Sequence, residues 1–76
     1  MIEQLNFYMT EASPELLDSR REYIERVIVG KLKRGIKQMQ AWTPDFASKP
    51  EAQALITAYT EGLKFFTEKG FNNKAA

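Results

Sequence analysis

Cysteine and histidine are both absent from this sequence. Without cysteine there is no disulfide to staple a short chain, and without either residue the usual zinc and copper ligand sets are missing. The commonest thiol nucleophile and the commonest general base are missing with them. No glycine-rich phosphate loop and no nucleophile elbow appears, so catalysis is not expected, and neither is a cofactor. Glu22 and Glu25, three apart on one helix, could in principle share a metal. No Glu-x-x-His motif accompanies them, however, and no metal is expected. No apolar run approaches the roughly 18 residues needed to cross a bilayer, and Met1-Ile2-Glu3-Gln4 lacks the basic and apolar regions of a signal peptide. A cytoplasmic protein with no membrane partner is therefore expected. A large charge excess is lacking too: the formal net charge is +1, which exerts no overall pull toward nucleic acid.

What is present is apolar content of 43% in 76 residues, enough to predict one folded domain. At this length burial and conformational entropy nearly cancel. With disulfides and metals excluded, stability must come from regular helix packing and from association, and a homodimer is expected.

The stretch Ser13 to Trp42 reads as one long amphipathic helix, with the rest of the chain as its cover. Ser13-Pro14-Glu15 supplies a capping oxygen, a proline suited to the first turn and an acid at the positive dipole end. Leu17, Ile24, Ile28, Leu32, Ile36 and Met39 recur at spacings of seven, four and three and form the buried stripe. Glu15, Glu22, Glu25, Arg26, Lys33 and Lys37 lie opposite, with Glu22 and Arg26 in the favourable acid-first order. Gly35 falls on the apolar stripe, where a missing side chain admits a close neighbour. Gly30 falls on the polar side, so a break near it is the alternative to a continuous helix.

Before this helix, Ile2, Leu5 and Met9 fit a helical stripe while Leu5, Phe7 and Met9 fit strand alternation. Length decides for helix. A helix from Pro14 to Ala41 spans about 42 Å and one from Pro50 to Lys69 about 30 Å, which leaves about 12 Å of stripe for a short helix from Ile2 to Met9 to cover, folded back over Leu16 and Leu17. Beyond it, Thr43-Pro44-Asp45 predicts a short capped turn with Phe46 as a plug. The last helix opens at Pro50 and carries Ala52, Leu55, Ile56, Tyr59, Leu63 and Phe66 on one face. Gly70 suits a left-handed cap that sets Phe71 against Phe66. The expected architecture is all-α: a long antiparallel helical hairpin with a short N-terminal helix, in a dimeric bundle. The domain spans 1–71, and residues 72–76 form a frayed tail.

Three features are left over. Arg26, Lys31, Lys33, Arg34 and Lys37 form a basic run with no acid between Arg26 and Trp42, and Arg26, Lys33 and Lys37 share a face that a phosphate backbone or an acidic protein would fit. Tyr23, Val27, Val29 and Phe65 lie off the main stripes and widen the apolar surface, which makes them candidates for contact with a protein. Trp42, the only tryptophan, stands at the corner between Met39 and Phe46 as a plug or a binding hot spot.

The expected function is that of a small non-enzymatic regulator or adaptor that binds and modulates another protein by steric occupation. In general look the chain resembles small phage- and plasmid-encoded regulators, although no stretch carries a specific motif. A DNA-binding dimer is the alternative, either ribbon-helix-helix-like, with the N-terminal segments paired as strands, or using the basic helix face. A virion or particle assembly protein is the third.

Overall fold

A computed structural model describes residues 1–71, and the tail expected at 72–76 lies outside the described residues. Those residues form helices α1 (Ile2–Thr10), α2 (Pro14–Ser19), α3 (Arg21–Tyr23), α4 (Val29–Met39), α5 (Pro44–Ala47) and α6 (Pro50–Glu68), with a π-helical turn, Ile24–Ile28, joining α3 to α4. The protein is all-α.

The predicted caps are in place. Ser13 Oγ accepts from the Leu16 amide at 3.1 Å and Thr43 Oγ1 from the Phe46 amide at 3.2 Å, each followed by proline at the helix start. At the other end Gly70 adopts φ +84°, its amide donating to the Thr67 carbonyl at 3.0 Å and that of Phe71 to the Phe66 carbonyl at 2.8 Å. These two bonds are those of a Schellman cap. They bring the Phe71 ring to 5.9 Å from that of Phe66, as the sequence predicts.

The stretch from Pro14 to Ala41 is not one regular helix. It is interrupted at Arg20, with φ −108° and ψ 15°, where the Ser19 hydroxyl donates to the Leu16 carbonyl at 2.8 Å and so competes with the helical ladder. It widens again at Ile24–Ile28, where the Val29 amide reaches back to the Ile24 carbonyl. Gly30 is not the break: the chain runs through it as helix, and Gly30 is buried.

The wide turn has a sequence cause. Ile24, Ile28, Leu32 and Ile36 are spaced four apart three times in succession. In a regular helix each step of four drifts about 40° around the axis, so the row would spiral off the core. A turn with more residues holds it in line. Ile24, Ile28 and Leu32 are accordingly buried with Leu17, while Ile36 and Met39 are half-buried toward the far end. The same turn carries Val29 and Gly30 inward. Glu25, expected on the solvated side, is also drawn in to 9% exposure, and its Oε2 accepts from Arg21 Nη1 at 3.2 Å.

Packing centres on α6, which both α4 and α1 contact. Gly35 lies against Tyr59 and Gly62 against Leu32, so the two helices run past each other in opposite senses. Gly62 is also where α1 leans in, through Leu5. The N-terminal segment is helix, which removes the strand on which a ribbon-helix-helix pairing depends. It covers α6 more than Leu16 and Leu17, burying Leu5 and Tyr8. Tyr8 and Phe71 both pack on the fully buried Phe66 ring, and Arg20 Nη1 donates to the Tyr8 hydroxyl at 3.3 Å. Arg21 closes this end, lying 4.2 Å over the Phe71 ring and donating to the Gly70 carbonyl at 3.4 Å.

Candidate partner-binding surface

Of the apolar residues singled out as a protein contact, two are free and two are not. Tyr23 is 45% and Val27 41% exposed. Val29 is 0% exposed and belongs to the core, because the π turn ahead of it rotates α4 relative to regular winding. Phe65 is half-buried, packed edge-on against Phe66, with Lys69 Nζ 5.0 Å from its ring. Val29 is therefore not a contact residue, and Phe65 is largely used within the fold.

Tyr23 is held from the side of α1, since Gln4 Nε2 donates to its hydroxyl at 3.3 Å. One turn further along the helix is Val27, and roughly a turn beyond that come Lys31 and Arg34, followed by Gln38. At this spacing Val27, Lys31, Arg34 and Gln38 form a stripe, which Tyr23 precedes on the far side of the π turn. Lys31, Arg34 and Gln38 also line, with Gly35 and Tyr59, a groove of about 260 Å³ between α4 and α6. Gly35 creates its floor: a Cβ there would lie 2.7 Å from Tyr59 Cδ2, so only glycine lets the ring settle against α4.

The five cations Arg26, Lys31, Lys33, Arg34 and Lys37 are all exposed. Arg26 lies within the π turn and Lys33 and Lys37 on α4, each one position ahead of Val27, Arg34 and Gln38. Arg26 is tied to Glu22 at 3.4 Å, the ion pair that the sequence order favours. Among the described residues neither Lys31 nor Arg34 has a carboxylate partner. Those are the two cations that the groove brings together. Gln38 and Tyr59 are the members that sequence reasoning passes over. The available signal was Gly35, whose place on the apolar stripe demands a close neighbour from the facing helix.

Trp42 is half-buried and outside the core cluster. Its ring stacks on that of Phe46 at 4.7 Å and 15°, with Phe46 itself exposed and Lys49 Nζ 5.8 Å away. The corner is thus a surface stack and not an internal plug. A second, larger groove of about 450 Å³ lies at the opposite end between Glu15, Asp18, Arg21, Lys69 and Phe71, where charges of both signs alternate. Glu22 and Glu25 face Arg26 and Arg21 respectively, and among the described residues no group of three or more acidic side chains could hold a metal ion. No described helix is long and apolar enough to cross a membrane.

Comparison with known proteins assigns no family: no family model matches the sequence, and no curated protein or solved structure matches it either.

Proposed function

We propose that this chain is a small regulatory or adaptor protein that modulates another protein by occupying its surface, using the stripe from Tyr23 to Gln38 and no chemistry of its own. One observation carries the reading. Two large apolar side chains stay exposed on a helix whose other apolar face is dry, and they continue into two cations that nothing in the described fold neutralises. An apolar centre beside polar and arginine contacts is the usual composition of a protein interface. The π turn supports it too, because such turns are frequent at functional sites and this one separates Val27 from the core side of the helix. The lack of histidine and cysteine supports a role without catalysis. In this reading α4, α5 and α6 act as a rigid hairpin that presents the stripe.

A second reading has a specific observation behind it: a short chain with an exposed Tyr23 and Val27 is also suited to pairing with its own copy across that face. A photoreactive amino acid at position 27, irradiated in the cell that makes the protein, distinguishes the two. The expected product joins the chain to a different protein, identified by mass spectrometry, and position 46 gives none. An adduct between two copies of the chain would select the homodimer. Adducts at 46 with none at 27 would sink the proposal.

A further inference from the structure

The groove between α4 and α6 narrows the chemistry of the partner. Lys31 and Arg34 stand three apart on one helix face, Gln38 follows one turn on, and Tyr59 forms the wall opposite. Arg34 offers a planar donor fork and Lys31 a compact charge, the donor pair that suits a carboxylate. Gln38 adds an amide that can donate or accept. The groove holds about 260 Å³, room for one or two side chains and not for a folded element. Along the same stripe, Val27 lies roughly 6 Å before Lys31 and about 10 Å before Arg34 at the helical rise.

From this juxtaposition we infer that the groove receives the carboxylates of an acidic, amphipathic helical segment on the partner protein. One apolar residue of that segment meets Val27, and acidic residues four and seven positions away reach Lys31 and Arg34. Charge complementarity decides the sign: from Val27 to Trp42 the chain carries no acid, so an approaching carboxylate meets no repulsion along this helix. Nucleic acid would also meet the cations, but it gains little from Val27 beside them, and the net charge of +1 supplies little field to hold a phosphate backbone. The inference rests on the proposal that the stripe docks a protein.

The test uses the whole 15N-labelled protein and three probes: a helical peptide bearing one leucine with glutamates four and seven residues on, its Glu→Gln counterpart, and a random single-stranded oligonucleotide. The glutamate peptide is expected to shift the Gly35 and Gln38 amides and the Arg34 side-chain resonance, with at least fivefold weaker binding by the glutamine peptide. Arg34→Gln with Lys31→Gln is expected to remove that difference while leaving the spectrum of the core unchanged. Equal binding of the two peptides, or shifts confined to other residues, would overturn the inference. Tighter binding of the oligonucleotide at the same resonances would assign the groove to nucleic acid and overturn it as well. Failure here is separable from failure of the broader proposal. A photoadduct at position 27 that survives Lys31→Gln with Arg34→Gln unchanged would leave the docking stripe standing and remove the carboxylate site alone.

Discussion

Val27 and Val29 stand two positions apart in the same helix and have opposite fates, one 41% exposed and the other fully buried. Composition cannot separate them, and regular winding sets both off the main stripe. Only the π turn, which is a tertiary accommodation, assigns one to the core and the other to the surface. Other residues were legible because their roles are local. Ser13, Thr43 and Gly70 cap helices through bonds that span three to five residues, and each does what its sequence context predicts. Gly70 gives the simplest prediction at this scale. Its φ of +84° disfavours a side chain, while a Cβ there would meet nothing within 4 Å, so Gly70→Ala carries backbone strain alone. It should lower stability by about 1 kcal/mol in thermal denaturation. An unchanged midpoint would mean that the Arg21 and Phe71 contacts do not depend on this cap.

At the scale of elements, helix starts and stops were readable and helix continuity was not. The ends are written in proline, serine and glycine. The interruptions at Arg20 and at Ile24–Ile28 arise from a serine back-bond and from three successive spacings of four, signals that become compelling only when the facing helix is known. The N-terminal segment is helix, as the match of helix lengths predicts, although its cover is α6 and the aromatic cluster around Phe66. The π turn itself is open to test. Deleting Arg26 removes one residue from the wide turn and should rotate α4 by about 100° against α6, carrying Leu32 off the core and Gly35 away from Tyr59. The loss should reach about 2 kcal/mol or more in chemical denaturation, beyond that of Arg26→Ala, which sacrifices only an exposed ion pair. Equal midpoints for the two variants would show that the wide turn is incidental to packing.

The described residues form a thin body, 41 × 28 × 17 Å, so few side chains lie far from solvent. Even so, Leu5, Ile24, Ile28, Leu32 and Phe66 are each at most 1% exposed within a single chain. Size alone argued for a dimer, and the single chain hides its central residues without one. Of the large apolar side chains left exposed, Tyr23 and Val27 lead into the α4 stripe, while Phe7 lies on α1 and Phe46 on α5. If that stripe serves a different protein, light scattering at micromolar concentration should return a mass near 8.8 kDa, and twice that value would favour self-pairing instead.

The claim that everything else depends on is that the exposed half of the Tyr23–Gln38 face does the work while the buried half holds the fold. Val27→Asp puts a charge on a side chain that is 41% exposed and can reach water, so it should keep native helicity and melting behaviour. Val29→Asp buries the same charge without a partner and should unfold the chain. The direct measurement is the yield of partner captured by Val27→Asp at matched helicity. The account predicts at least a tenfold fall, because an interface centre does not tolerate an unpaired carboxylate beside apolar contacts. A folded Val27→Asp protein that captures its partner as well as the wild type would contradict it.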